Sequence, residues 1–356
     1  MLFGYPVAAT SENWLHESLI EAIQAVHNKV DLKEALPEWP NIFPAEHRDK
    51  LKNRRGLMVR FEVYRAAVAI ITSEERSQIL TAMQAQNKIA DLLSCNCDCP
   101  TILNLPVGVR EPVKDLFDFA FGLLTDLGIR HRQYAHIHKG MGARVCPFCG
   151  MEEFSAPHAP QEDFDHYLPR SIYPFAAANL RNLAPMGHKC NSGYKRAKDI
   201  LKTNAGARRR AFDPYGQPQV QLSLNESEIN QLVDGPFVRA WHLDVQPQIP
   251  EYETWDSVFS IRSRYTQDAL EDRNFRDWVW DFTKWFKGRP SPLCDQQLIA
   301  VVTDYVDVLA ESGFREKAFI KAAVFRFLLT RLIAGCQRVL GLMRDATGMV
   351  QPVTLA

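Results

Sequence analysis

The feature that most constrains this chain is an ordered run of metal-binding and acid-base side chains within residues 146–198. Thiolates hold zinc, carboxylate and amide oxygens hold hard cations such as magnesium, and a neutral imidazole takes up a proton near pH 7. The run contains, in order, Cys146-Pro-Phe-Cys149, Asp165-His166, Asn182-Leu183, Cys190-Asn191 and Lys195. These residue types together predict a metal-dependent hydrolytic site.

Three short motifs in this run resemble the HNH (ββα-metal) endonuclease family. They are Asp165-His-Tyr-Leu-Pro169, Asn182-Leu-Ala-Pro185 and Cys190-Asn-Ser-Gly-Tyr-Lys195. The resemblance implies two short strands and a helix around one divalent ion, Mg²⁺ or Mn²⁺. It also implies hydrolysis of phosphodiester bonds in nucleic acid, with DNA as the expected substrate.

The resemblance also implies roles for five residues of the run. His166 would be the general base, and Asn182 would orient it. Asp165 and Asn191 would supply oxygens to the catalytic ion. Lys195 is four residues after Asn191, so both share one face of a helix predicted to begin near Cys190, and we include Lys195 in the catalytic set. Adjacent residues on a strand point to opposite faces, so a twist or bulge must bring Asp165 and His166 to one site.

A second, structural metal site is indicated by three of the thiols. Cys146-x-x-Cys149 is typical of the first half of a zinc ribbon, and Cys190 offers a third thiolate. The chain has eight cysteines in 356 residues, which is too few for a disulfide framework and fits a reducing cytosol. We therefore expect a structural Zn²⁺ and a cytoplasmic location.

The fourth zinc ligand is less well determined. Many members of the family that the motifs resemble have Cys-x-x-Cys as the second half of the ribbon. In this chain the residue three positions before Cys190 is Gly187. His188 keeps two ligands on each side of the ribbon, and we predict it as the fourth ligand. His158 is the second candidate, and a three-ligand knuckle and a metal-free knuckle are the remaining alternatives.

Length and pattern predict an α+β protein of three parts. A chain of 356 residues exceeds what one hydrophobic core usually supports. We expect a helical N-terminal domain over residues 1–138, an HNH nuclease module with a zinc knuckle over residues 139–215, and a C-terminal region over residues 216–356 that is first β and then helical. The protein is thus predicted to be mostly helical, with a central ββα-metal module and a small β region after it.

Several elements follow from local pattern. Apolar residues at helical spacing predict helices over residues 11–30 and 45–71. Thr72 and Glu75 predict a capping box, and Pro112 suits the first position of a helix. Residues 257–261 are predicted to form a strand. The charged residues within 318–343 exclude a membrane-spanning helix there, and we expect no membrane association.

Two further clusters have less specific patterns. Cys95, Cys97 and Cys99 alternate in a loop, and reduced thiols are favoured over a second metal site. The histidines at 131, 136 and 138 are more typical of a solvated or phosphate-facing surface than of a ligand set. Basic residues flank the motif run: Arg130, His131, Arg132, Lys139, Arg144, Lys189, Lys195, Arg196, Lys198, Lys202, Arg208, Arg209 and Arg210.

The expected function follows from the motif run and the zero net charge. The HNH family that the motifs resemble includes restriction enzymes and phage-defence effectors, and flanking regions without a recognisable DNA-reading motif favour a bacterial role of that kind. A separate sensor or ATPase is then the expected protein partner, in addition to DNA. The alternative is a zinc-ribbon nucleic-acid-binding or scaffold protein that performs no hydrolysis.

Overall fold

The computed structural model describes residues 1–159, 164–218, 220–232 and 234–349. These residues are mostly helical, and the sheets found among them are small, antiparallel and two-stranded. The expected α+β class is confirmed at this coarse level. The chain divides into two compact units, Met1–Pro218 with Pro250–Phe259, and Gln219–Ile249 with Ser260–Ala356.

Unit 1 contains the whole motif run together with most of the N-terminal helices. Its α-helices are α1 (Trp14–Leu32), α2 (Ala45–Leu51), α3 (Arg55–Ala69), α4 (Ser73–Gln86), α5 (Ile89–Leu93), α6 (Val107–Asp126), α7 (Ile129–Gly140) and α8 (Pro250–Phe259). Strands β1 (Phe164–His166) and β2 (Leu183–Pro185) and a π-helix (Lys189–Lys195) complete it. Residues 1–138 and 139–215, which we predicted as separate domains, therefore lie in one compact unit.

Helices α1 and α4 follow the local pattern. The predicted apolar stripe of α1 is fully buried, and it comprises Leu15, Leu19, Ile23 and Val26. At the start of α4, the Thr72 hydroxyl accepts from the Glu75 amide at 3.2 Å, and the Glu75 carboxylate accepts from the Thr72 amide at 2.9 Å. The predicted capping box is confirmed.

Two helix predictions need correction. The single helix expected over residues 45–71 is broken into α2 and α3, and the turn between them contains Asn53, a residue type that favours turns over helix interiors. Pro112 lies inside α6 rather than at its first position, because α6 already begins after Pro106. The bond that Pro112 cannot donate would have reached the carbonyl of Gly108, an exposed residue whose carbonyl water can satisfy.

Unit 2 combines four short strands with the C-terminal helices. The strands are β3 (Gln221–Ser223), β4 (Glu228–Ile229), β5 (Val238–Ala240) and β6 (Asp244–Gln246), and β3 pairs with β6 while β4 pairs with β5. The helices are α9 (Ile261–Arg264), a π-helix (Tyr265–Ala269), α10 (Asp272–Phe286), α11 (Asp295–Ser312), α12 (Ala318–Ile333) and α13 (Gln337–Thr347). The strand predicted over residues 257–261 is wrong, because α8 ends at Phe259 and α9 begins at Ile261, with Ser260 between them.

The core of unit 2 is aromatic. Phe282 of α10 packs against Tyr305 of α11 with ring centroids 5.1 Å apart and against Phe325 of α12 at 5.6 Å. Burial of such rings contributes both apolar area and edge-to-face contacts. In the part of the chain that the structure describes, no helix combines the length and the hydropathy that crossing a membrane requires.

Candidate metal centre and nuclease site

The first cysteine pair lies on a tight hairpin. Val145 pairs with Glu153 in antiparallel register, and the Cys146 amide donates to the Glu152 carbonyl at 2.7 Å. At the tip, the amides of Cys149 and Gly150 both donate to the Cys146 carbonyl, at 3.2 and 2.6 Å. Gly150 has a φ of 65°, a left-handed conformation that glycine adopts without strain. The turn thus brings the thiols of Cys146 and Cys149 together.

Four potential ligands converge beside this hairpin. The ligand atoms of Cys146, Cys149, Glu152 and Cys190 all lie within 4.8 Å of one another. The three cysteines are fully buried, and burial, together with the hydrogen bonds that the Cys146 thiol makes with Cys149 and Cys190, raises the pKa of Cys146 well above its usual value. Sulfurs that share a tetrahedral zinc are about 3.8 Å apart, given Zn–S bonds of about 2.3 Å. The cluster could therefore hold a metal ion such as zinc, and the donor set fits it.

The structure places Glu152, and not the predicted ligand His188, in this group. His188 directly precedes the π-helix and is exposed, and His158 is exposed as well. Sequence reasoning missed Glu152 because it sought the fourth ligand among sulfur and imidazole groups. The spacing Cys-x-x-Cys-x-x-Glu, with glycine at position 187, is the pattern that could have indicated it.

Helix α8 covers the hairpin. The indole of Trp255 donates to the Phe148 carbonyl at 2.8 Å, and the rings of Phe148 and Phe259 are 5.0 Å apart. The Leu2 amide donates to the Pro147 carbonyl at 2.9 Å on the same hairpin. None of these three contacts was predicted, since each joins segments more than 100 residues apart in the sequence.

Strands β1 and β2 and the π-helix bring three of the predicted catalytic residues together. The strands pair in antiparallel register, with Asp165 opposite Ala184. The fully buried Lys195 places its ammonium 2.6 Å from Asp165 Oδ2 and donates to the His166 carbonyl at 2.8 Å. Lys195 therefore ties the end of the π-helix to both residues of the Asp-His motif.

Asn191 lies half-buried in the first turn of the π-helix. Its carbonyl accepts from the Arg196 amide five residues later at 2.8 Å, the bonding pattern that defines a π-helix. Single π-turns are frequent at functional sites. The helix predicted to begin near Cys190 is thus present as a short π-helix.

The imidazole of His166 is buried and oriented by one hydrogen bond. Its Nε2 lies 3.0 Å from the Ala177 carbonyl, which can only accept, so Nε2 carries the proton. The ring packs 4.3 Å from that of Phe121 on α6. Burial, and to a smaller extent the nearby Arg170, lowers the pKa of His166 to about 3. The ring is therefore neutral at pH 7.

Asn182 holds the loop that orients His166. Its Oδ1 accepts from the Leu168 amide at 2.7 Å, and its Nδ2 donates to the carbonyls of Leu168 and Ala176 at 3.0 and 3.1 Å. Asn182 is fully buried. Since Ala177 follows Ala176 directly, Asn182 acts on His166 through the backbone of this loop.

Two guanidinium groups surround the aromatic contact of His166. Arg130 lies over the Phe121 ring at 4.6 Å, and Arg170 lies over the same ring at 5.6 Å. Arg170 also pairs with Asp118 at 3.2 Å. The basic flank predicted from the sequence included Arg130 but missed Arg170, which directly follows Pro169 at the end of the first motif.

The other clusters named from the sequence do not join the site. Among the described residues, the groups able to hold a metal do not include Cys95, Cys97 or Cys99. Arg208 of the predicted basic triplet donates to the carbonyls of Leu92 and Cys97 at 2.7 and 2.9 Å. Its role in the fold is therefore to hold a loop of unit 1.

The three histidines before the knuckle all lie on α7 and differ in burial. His131 and His136 are exposed, whereas His138 is buried with its ring 6.1 Å from that of Tyr134. Among the described residues, they belong to no group that could hold a metal.

Comparisons with known proteins return no match: no protein-family model, curated protein or solved structure is similar to this chain.

Proposed function

We propose that this chain is a metal-dependent endonuclease of the HNH type, acting on DNA. The observation that carries the proposal is the way the motif residues meet around β1. The Ala177 carbonyl fixes the tautomer of His166, Asn182 holds the segment that contains this carbonyl, and Lys195 anchors Asp165 from the π-helix. These contacts support separate roles for the motif residues in proton uptake, positioning and metal binding.

His166 is proposed as the general base. With Nε2–H donating to the Ala177 carbonyl, the basic lone pair is on Nδ1, and a neutral imidazole can accept the proton of an attacking water there. A phosphate anion next to the ring favours its protonated form, because an opposite charge stabilises the cation. The substrate itself therefore offsets part of the burial that holds the pKa of His166 low.

Asp165 and Asn191 are proposed to hold the catalytic Mg²⁺ or Mn²⁺. A carboxylate and an amide oxygen are the donor types that such hard cations prefer, so the residues present fit. The ion would supply charge stabilisation to the phosphate and the leaving oxygen. Lys195 keeps the Asp165 carboxylate in position, and its own charge adds to the positive potential of the site.

Arg130 and Arg170 are proposed to bind the substrate phosphate. Both lie against the Phe121 ring on which His166 packs. Guanidinium groups bind phosphate oxygens with two parallel hydrogen bonds, which would set the phosphorus near the base. Arg130 and Arg170 concentrate positive charge at the site. Phosphate binding there therefore does not require a net positive charge on the whole chain.

The biological role is proposed to be bacterial restriction or phage defence, in the cytoplasm, with a separate sensor or ATPase as partner. The zero net charge and the lack of a DNA-reading motif in the flanks support a partner that supplies target choice or control. A partner would also give a role to the large helical region before the motif run, most of which contributes no residue to the proposed site.

Plasmid cleavage tests the proposal. Purified protein with Mg²⁺ or Mn²⁺ is expected to nick and linearise supercoiled DNA, and a chelator of divalent ions is expected to stop the reaction. Asp165→Asn should abolish cleavage, because an amide is a poorer ligand and a poorer partner for Lys195. Binding of DNA without cleavage under either metal would favour the zinc-ribbon binding or scaffold alternative.

A further inference from the structure

We infer that Glu152 is the fourth ligand of a metal site formed with Cys146, Cys149 and Cys190, and that Gly187 is glycine because the Glu152 carboxyl group fills the space of its side chain. This site would be structural and separate from the catalytic ion. The inference does not rest on the proposed nuclease activity, because metal content and ligand type can be measured without DNA.

The space beside Gly187 is filled by the Glu152 side chain. A Cβ atom built on Gly187 would lie 2.5 Å from Cδ and 2.6 Å from Oε2 of Glu152. Such distances are far below van der Waals contact, so any side chain at 187 would have to displace the carboxyl group. The φ of Gly187 lies outside the left-handed region, so conformational freedom is not the reason for glycine here. The reason is space.

Gly187 stands at the position where a zinc knuckle would have a cysteine. Gly187 is three residues before Cys190, where a Cys-x-x-Cys knuckle would carry its first thiolate. The Glu152 carboxylate therefore occupies the region in which a cysteine side chain at 187 would begin. A ligand from the hairpin has taken the place of a ligand from the segment that leads into the π-helix.

The distances fit a shared metal. Glu152 Oε2 lies 3.7 Å from the Cys149 sulfur. For a tetrahedral zinc, bonds of about 2.3 Å to sulfur and about 2.1 Å to oxygen place the two ligand atoms about 3.6 Å apart. Zinc accepts Asp and Glu oxygens together with thiolates, whereas Mg²⁺ does not favour sulfur. The geometry and the donor set both point to zinc.

The two carboxylate oxygens have different partners. Oε1 accepts from the Lys189 amide at 2.8 Å, at the first residue of the π-helix, while Oε2 also accepts from the Cys190 amide at 3.3 Å. Glu152 thus connects the metal cluster to the start of the helix that carries Asn191 and Lys195. A role as helix cap alone would require these hydrogen bonds but no metal, and the experiment separates the two roles.

The test moves the fourth ligand from position 152 on the hairpin to position 187 before the π-helix. Glu152→Ala is expected to weaken zinc binding by about 100-fold or more, since loss of groups that merely support a ligand already costs about 10- to 100-fold. The double variant Glu152→Ala/Gly187→Cys should recover most of that loss, because the thiolate then enters the vacated space. Zinc per chain is measured by elemental analysis after dialysis against a graded chelator.

Two matched controls come from the same region. Glu153→Ala removes an exposed carboxylate next to Glu152 and should retain wild-type zinc. Glu152→Ala/Gly142→Cys adds a thiol at a glycine with open space around it, and it should not recover binding. Together they separate a specific ligand from a general effect of charge or of an extra cysteine.

Spectroscopy identifies the ligands directly. With cobalt in place of zinc, the wild type should show the thiolate charge-transfer intensity of three sulfurs, and the exchanged variant about one third more, from four. Wild-type zinc affinity in folded Glu152→Ala, with imidazole scattering in its X-ray absorption spectrum, would overturn the inference in favour of His188. A folded exchange variant that stays at the three-sulfur intensity would overturn the role assigned to Gly187.

Discussion

His166 combines burial with a single oriented hydrogen bond, and this combination determines which of its nitrogens can act. The ring is neutral, and the Ala177 carbonyl holds the proton on Nε2. We expect His166→Ala to lower the rate of plasmid cleavage by about 10² to 10⁴, the usual cost of losing a general base. The cleavage rate under saturating Mg²⁺ is the measurement, and thermal unfolding verifies that the variant remains folded.

The matched control for His166→Ala is His136→Ala, which removes an exposed imidazole from α7 of the same unit. Its cleavage rate and DNA affinity should equal those of the wild type. DNA affinity should also survive in His166→Ala, because the proposed phosphate contacts come from Arg130 and Arg170. Cleavage by His166→Ala at the rate of the control would rule out His166 as the base.

The predicted and observed roles of single residues agree best where the interaction is local. Asn182 was expected to orient His166, and its side chain bonds to the backbone of Leu168 and Ala176, next to the Ala177 carbonyl that holds the imidazole. Glu152 was not predicted at all. Its placement depends on how the hairpin folds against Cys190, 38 residues later, so only the Cys-x-x-Cys-x-x-Glu spacing taken together with the glycine at position 187 could have indicated it.

At the level of elements, the capping box of α4 allows a sharp test of a local interaction. Thr72→Ala removes the hydroxyl that accepts from the Glu75 amide and should lower the free energy of unfolding by about 1 kcal/mol. Ser77→Ala, at an exposed position within α4, should change it by less than about 0.5 kcal/mol. Urea unfolding of the two variants beside the wild type measures the difference. Equal midpoints would show that the cap contributes nothing.

Elements with strong local signals were predictable, and those formed by distant contacts were not. The stripe of α1 and the cap of α4 follow from residues within one or two turns. Residues 257–261 looked like a strand because Val258, Phe259 and Ile261 are of types that are frequent in strands. In the structure they belong to α8 and α9, and α8 is held on the hairpin by Trp255 and Phe259, which a local pattern cannot anticipate.

The short strands β1 and β2 show the same limit within the site. The motif residues predicted that Asp165 and His166 lie on a strand, and they do. The sequence did not show how residues of opposite strand faces could serve one site. In the structure the two strands pair in regular register, and Lys195 contacts the Asp165 carboxylate and the main-chain carbonyl of His166. The His166 imidazole has a different partner, the Ala177 carbonyl.

Over the whole molecule, charge is balanced, and much of the basic flank has partners within the fold. Lys195 pairs with Asp165, and Arg208 holds backbone carbonyls. Long-range attraction of DNA to a chain of zero net charge is weak, so affinity must come from contacts at the site or from a partner. This charge distribution is why we include a separate protein partner in the proposed function.

The buried His16 of α1 contributes to the response of the whole fold to acid. Burial lowers the pKa of His16 to about 4, while an unfolded histidine titrates near 6.5. Between these values the unfolded chain binds more protons, so stability is complete above pH 6.5 and falls as the pH drops toward 4. The shift corresponds to roughly 3 kcal/mol at this one residue. His16→Gln should therefore lose less unfolding free energy than the wild type between pH 6.5 and 4.5. Urea titrations at a series of pH values measure the slopes, and parallel slopes in the two proteins would show that His16 is not linked to folding.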